Sequence, residues 1–244
     1  MTFYLIGIGL NKNSISAEAL EILKTCDKIY LENYTVNFPY SLKELEGAMG
    51  LKLIELKREV IENETIIKEA KNQNISLLIY GDSLSATTHI QLILECKKQG
   101  IKSQVFHNTS IITAITETGL QLYKFGKTAS MPNWKEHTNK PTSFMNYIKE
   151  NRSIKAHTLI LTDIGLGIVN AVSQLKEASE KENIKVPEKI IACSNIGTQN
   201  QKIFYDTPDN LEKIEIKMPF CLIIPSEMHF LEEETLENLK DKLK

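Results

Sequence analysis

The strongest constraint on the fold of this chain is an alternation of short apolar runs with amphipathic stretches. TFYLIGI (2–8), DKIYLE (27–32), LKLIEL (51–56), ISLLIYG (75–81) and IKSQVFH (101–107) have the length and apolar content of strands. Between them, AEALEILKTC (17–26), ETIIKEAKNQ (64–73) and TTHIQLILECKKQ (87–99) repeat apolar residues at the three- and four-residue spacing of a helix with one buried face. Strand, helix and strand joined by short links favour a mostly parallel sheet with helices on its faces.

The pattern loosens after about residue 108. SIITAITETGLQL (110–122) reads as one helix, and KFGKTASMPNWKEHTNKP (124–141), interrupted by Pro132 and Pro141, reads as a loop or linker. Strands are predicted at 157–164, 189–196, 201–206 and 220–226, and helices at 168–182 and 231–244. The last of these carries acids early and lysines late, as the helix dipole favours. The expected organisation is two α/β domains, residues 1–108 and 109–244, with the boundary between 107 and 112.

Composition narrows the class. With 42% hydrophobic and 25% charged residues among 244, the chain can bury a sizeable core. A net charge of -2 argues against non-specific nucleic-acid binding, which needs excess Lys and Arg. No apolar run approaches the ~18 residues of a membrane span. Cys26, Cys96, Cys193 and Cys221 form no CxxC pair and lie far from zinc-ligand spacing, so they read as small buried side chains in a reducing cytoplasm. The first residues read as a strand rather than a signal peptide.

Four segments are candidates for chemistry. GIGLNKNSIS (7–16) follows the first strand; Gly7 and Gly9 permit a tight turn and close backbone approach, but Lys12 stands where a dinucleotide fingerprint needs glycine. A plain strand-to-helix turn, with Ser14 or Ser16 as helix cap, is the competing reading. IYGDSLSATTH (79–89) places Asp82 at a strand end, where ligands of open α/β sheets collect. The blander alternative is that Asp82 or Ser85 caps the next helix, and His89 by itself reads as structural or exposed. In HNTSI (107–111), an N-cap competes with backbone contacts from Ser110 and Ile111. Tyr123, Lys124 and Phe125 read as packing plus a solvated lysine. His229 with Glu232, Glu233 and Glu234 lacks metal-site spacing, so the carboxylates read as stabilising the first turn of the last helix. There is no GxSxG elbow, no Walker A loop and no nucleophile with an evident base.

Taken together, LIGIGL, GDSLSATTH, HNTSI, GLQLYKFGKT, HTLILTDI and LIIPSEMHFLEEETL resemble, in order and over almost the whole chain, the diphthine synthases of the tetrapyrrole methyltransferase group. The resemblance implies a two-domain α/β fold with S-adenosylmethionine held between the domains and S-adenosylhomocysteine as product. It implies a homodimer acting on elongation factor 2, whose modified histidine carries a 3-amino-3-carboxypropyl group. The amino group is methylated repeatedly, and eukaryotic members also methylate the carboxylate; both patterns stay open. The rivals are a tetrapyrrole or ribosomal RNA methyltransferase of the same fold and a non-catalytic binding module. The resemblance places cofactor contacts at Leu10, Asp82, Ser85, Ser110, Ile111, Thr162, Ile196 and Phe220. It assigns no catalytic side chain and no metal. The chain departs from the family at Ser83 (proline of GDP), Asn195 and Ile196 (ARAGS) and Ser226 (glycine of PG). Loss of the proline is expected to free the backbone at the pocket rim, and Ile196 to narrow the pocket.

Overall fold

Five of the apolar runs pair side by side in a single direction. In the computed structural model, which describes residues 1–56 and 65–240, β1 (Thr2–Gly7), β2 (Lys28–Glu32), β3 (Ile54–Leu56), β4 (Ile75–Ile79) and β5 (Lys102–Phe106) form an all-parallel sheet of order β3-β2-β4-β1-β5. Residue 64 of the helix expected at 64–73, and the last four residues of the one expected at 231–244, lie outside the described residues. β4 is buried along its whole length, as a central parallel strand covered on both faces must be. Alternation sends Phe3, Leu5, Ile75 and Leu77 into one apolar cluster, and Ile6, Ile29, Leu31 and Leu78 into another.

The helices on these faces are α1 (Ala17–Leu23), α2 (Leu42–Met49), α3 (Thr65–Glu69) and α4 (Ile90–Lys98). α2 was not foreseen, although its start carries a capping box: Ser41 Oγ accepts from the Glu44 amide while the Glu44 carboxylate accepts from the Ser41 amide. α4 starts three residues later than expected, at Ile90, and neither Asp82 nor Ser85 caps it.

The chain divides into two units, 1–111 and 112–244, within the short helix α5 (Ile111–Ala114). The second unit holds β6 (Ala129–Met131), α6 (Ser143–Ser153), β7 (Thr158–Thr162), α7 (Ile168–Glu182), β8 (Ile190–Ser194), β9 (Lys202–Asp206), α8 (Pro208–Leu211), β10 (Phe220–Ile224) and α9 (Phe230–Lys240). Its sheet order is β6-β7-β10-β8-β9; only β6 and β7 run parallel, and β10 is antiparallel to both its neighbours. The mostly parallel arrangement therefore describes the first unit only.

Two expectations fail in this unit. The single helix over 110–122 is instead α5 followed by a 3-10 turn, Ile115–Thr118, stopped by Gly119 at φ +82°. A Cβ on Gly119 would stand 2.3 Å from Thr235, so the chain can pass α9 only as glycine there. The segment 124–141 is no mere linker: it contains β6 and a 3-10 turn, Trp134–Glu136. No helix among the described residues is long and apolar enough to cross a membrane.

Candidate active site

Because β4, β1 and β5 are neighbours and parallel, the loops leaving their carboxyl ends meet at one rim. Gly9 and Gly81 exchange two backbone hydrogen bonds of 3.0 Å, joining the loops after β1 and β4. A Cβ on Gly7 would lie 2.7 Å from the Gly81 carbonyl, and one on Gly9 2.6 Å from Ser14 Cβ, so both glycines serve close approach of the chain to itself. Asn108 ties in the loop after β5: its Nδ2 donates to the carbonyls of Gly7 (3.1 Å) and Ser14 (2.9 Å). Ser16, rather than Ser14, caps α1.

Asp82 is the hub of this rim. Its Oδ1 accepts from the Leu84 amide (2.9 Å) and Ser85 Oγ (3.1 Å), and its Oδ2 from His107 Nδ1 (2.8 Å) and the Asn108 amide (3.1 Å). Burial pushes its pKa up, but these four donors outweigh it and hold the carboxyl below its usual range. Its acceptor positions are filled by this chain, so what Asp82 offers a ligand is the placement of the Ser83–Ser85 and His107–Ser110 backbone. Ser83 does not free the rim as the loss of proline suggested: it is buried, and its hydroxyl donates to the Phe106 carbonyl at 3.2 Å.

Leu10 and Ser110 come together over Gly81. From the position a Gly81 Cβ would take, the nearest atoms are Thr109 O at 3.7 Å, Ser110 Cα at 3.8 Å and Leu10 Cδ2 at 3.9 Å. Ile111 opens α5 directly after Ser110. A buried glycine at φ +77° thus leaves a methyl-sized cradle between Leu10 and Ser110. His89 sits apart from the cradle, buried with its Nε2 against the buried Glu32 carboxylate and its Nδ1 against Thr87 Oγ1.

In the second unit, Thr162, Ile196 and Phe220 gather at one end of the sheet. β10 runs against β7 and β8, which puts its first residue beside the last residues of both. Thr162 Oγ1 donates to the Phe220 carbonyl at 2.6 Å, and the Asn195 amide to the Pro219 carbonyl at 2.9 Å. The Ile196 and Phe220 side chains are buried, Phe220 within the core, so they shape the site more than they face it. Asn195 adopts φ +51°, a left-handed conformation that asparagine tolerates well, and its carbonyl accepts from the amide and hydroxyl of Thr198. A cavity of about 220 Å³ bordered by Arg152, Lys185 and Ser226 lies at the opposite end of β10 and includes none of these residues.

Lys124 is not a solvated lysine. Its ammonium lies 2.6 Å from the fully buried Glu232 carboxylate and donates to the Glu227 carbonyl at 2.8 Å. Glu232 also accepts from the amides of Gln121 (2.8 Å) and His229 (2.7 Å), the latter fixing the start of α9 as the sequence suggested. His157 Nδ1 accepts from the Ser226 amide at 2.9 Å, so Nε2 carries the proton and points at Glu232 from 3.4 Å. Burial pushes Glu232 up, but Gln121, Lys124, His229 and His157 bring its carboxyl down to about 2. Burial also lowers His157, against the pull of Glu232. Sequence spacing hid this network because its members are about a hundred residues apart; the usable signal was the pair of glycines bracketing Lys124.

The Tetrapyrrole (Corrin/Porphyrin) Methylases family matches residues 2–212. The chain is 35% identical to the diphthine methyl ester synthase of Schizosaccharomyces pombe, over 96% of this chain and 93% of that one. It is 35% identical to the diphthine synthase of Methanocaldococcus jannaschii, over 98% and 99% of the two chains. A crystal structure of a diphthine synthase superposes with a TM-score of 0.89 at 31% identity, covering 99% of this chain and 96% of the other. The parallel first sheet with its three-loop rim, the mixed second sheet and these relationships lead to one assignment: the chain is an enzyme of the tetrapyrrole methylase family and belongs to its diphthine synthase branch.

Proposed function

We propose that this enzyme transfers methyl groups from S-adenosylmethionine to the amino group of the 3-amino-3-carboxypropyl-histidine of elongation factor 2. The observation that carries the reading is the rim itself, where the loops after β1, β4 and β5 are tied through Gly9, Gly81, Asp82 and Asn108 at the end of a parallel sheet that takes ligands. Leu10, Ser85, Ser110 and Ile111 in the first unit, and Thr162, Ile196 and Phe220 in the second, are the proposed cofactor contacts. Asp82 holds the first group in place.

The cofactor supplies an electrophilic methyl on a sulfonium. The chain's residues bind, align and exclude water, the sources of rate that need no proton-transferring side chain. Asp82 accepts four hydrogen bonds, which leaves it unsuited to taking up a proton. The substrate amine therefore reacts in its free-base form and loses its proton to solvent. The net charge of -2 fits a protein rather than a nucleic-acid substrate. We take the enzyme to be a cytoplasmic homodimer, a compartment that suits its four free cysteines.

The test combines calorimetry with S-adenosylmethionine and mass analysis of unmethylated elongation factor 2 after incubation with enzyme and cofactor. Saturable heat and mass gain in steps of one methyl, both lost in Ser110→Tyr, are expected. Methyl transfer only to RNA or a tetrapyrrole would refute the substrate.

A further inference from the structure

GLQLYKFG is built as a rigid turn that ends in exposed apolar side chains. The 3-10 turn Leu122–Lys124 is held from beneath by the Lys124–Glu232 pair and by the Gln121 amide on the same carboxylate. Gly119 and Gly126 pin its two ends; a Cβ on Gly126 would lie 2.1 Å from Asn151 Oδ1. Yet Tyr123 is 81% exposed and Leu122 40%. Glu232 also fixes the first turn of α9, where Phe230 and Leu231 are 65% and 51% exposed. One buried carboxylate thus holds two adjoining turns that present four large apolar side chains to solvent. Neither folding nor solubility asks for that arrangement.

Charge narrows the occupant. Glu233 and Glu234 lie within the same stretch of α9, exposed and with no cation in ion-pair reach among the described residues. A second copy, itself of net charge -2, brings no overall excess of lysines and arginines to meet them. A protein with an apolar patch beside lysines or arginines fits both features.

We propose that Leu122, Tyr123, Phe230 and Leu231, flanked by Glu233 and Glu234, form the docking surface for the protein substrate and engage a basic, apolar patch on it. The proposal rests on the protein-methylation reading above and gives the site its second half, recognition of the carrier protein. Tyr123 and Leu231, the two truncated in the test, take no part in the Lys124–Glu232 ion pair, so truncating them leaves that pair in place.

The test is steady-state methylation of the 3-amino-3-carboxypropyl form of elongation factor 2 by the full-length enzyme. In Tyr123→Ser/Leu231→Ser, KM for the protein substrate should rise about tenfold or more, with kcat and S-adenosylmethionine affinity within about twofold of the parent. Glu233→Lys/Glu234→Lys should also raise KM and flatten its dependence on salt. Unchanged KM in both variants, with the parent enzyme active, overturns the docking surface and leaves the methylation reading standing. A parent dimer that dissociates in Tyr123→Ser/Leu231→Ser by light scattering overturns it in favour of a second copy. A parent enzyme that binds the cofactor but never methylates the factor removes both readings.

Discussion

Replacing Lys124 by methionine should destabilise the second unit by about 3 kcal/mol, because it strips the only full cation among the described residues from a carboxylate with no exposed surface. Glu232 falls from 4.5 to about 2 on folding. At ~1.4 kcal/mol per unit, the network as a whole stabilises the ionised form by about 3 kcal/mol. Lys124 supplies only part of that figure, but its loss also leaves a buried charge uncompensated, and breaking such pairs costs ~3–5 kcal/mol. The protein's single tryptophan, Trp134, packs on the second unit's core, so its fluorescence in a urea titration reports on this unit directly. The pH dependence has a fixed sign. Glu232 is depressed in the fold, so its stabilisation is complete above about pH 4.5 and disappears as pH falls toward 2. In Lys124→Met, the unopposed burial raises the Glu232 pKa. The gap between parent and variant should therefore narrow as the pH is lowered through the carboxylate range. Lys124→Met/Glu232→Gln should recover part of the loss, since the amide oxygen can still accept from a backbone N–H. A loss under about 1 kcal/mol at pH 7, or a gap independent of pH, would mean that water reaches the pair and that the turn is not held as described.

Other outcomes can be checked alongside. Gly81→Ala should fold with a cost of about 1 kcal/mol from the left-handed backbone, yet weaken S-adenosylmethionine binding by calorimetry at least about tenfold, because its methyl enters the cradle between Leu10 and Ser110. Gly126→Ala should lower the thermal midpoint by about 5 °C or more, since it displaces Asn151 from the Lys127 amide and carbonyl and from Thr158 Oγ1. Cys96, Cys193 and Cys221 are buried, with the Cys96 thiol pushed up by burial and the Cys193 thiol by its contact with Cys221 and by burial, so alkylation of the native protein followed by mass analysis should modify Cys26 at most; urea should expose all four.

The first unit was largely legible because its strands obey one rule. The central run 75–81 is buried on both faces, and the runs at 2–8 and 75–81 are each followed by a helix of clear period, so the class, though not the strand order, follows from the pattern. What escaped was short and held by tertiary contacts. α2 depends on a capping box at Ser41 and Glu44 that was present in the sequence but stood beside no clear apolar period. α6 starts two residues after Pro141 with no side-chain cap, so its beginning carried no local sign. The 110–122 helix breaks because Gly119 must slip past Thr235, a neighbour more than a hundred residues away. The rim segments stood out as candidates, glycine, aspartate and small hydroxyls at strand ends, but each carried a competing turn or cap reading, and only the family resemblance joined them into a set. The clasp role of Asp82 was not legible, because three of its partners, Ser85, His107 and Asn108, belong to two different loops.

The uniform direction of the first sheet gives its two ends unequal tolerance of change. At the strand beginnings, Gly100 turns the chain in open space, while Asn74 holds the starts of β1 and β2 through the Thr2 and Asp27 amides. The turn at Gly100 can therefore change with little effect on its neighbours. At the strand endings, Gly7, Gly81, Asp82 and Asn108 interlock, and a change in any loop must be matched in the other two. A substitution at Gly7, Gly81, Asp82 or Asn108 therefore acts on all three loops at once, whereas one at Gly100 acts on its own turn alone.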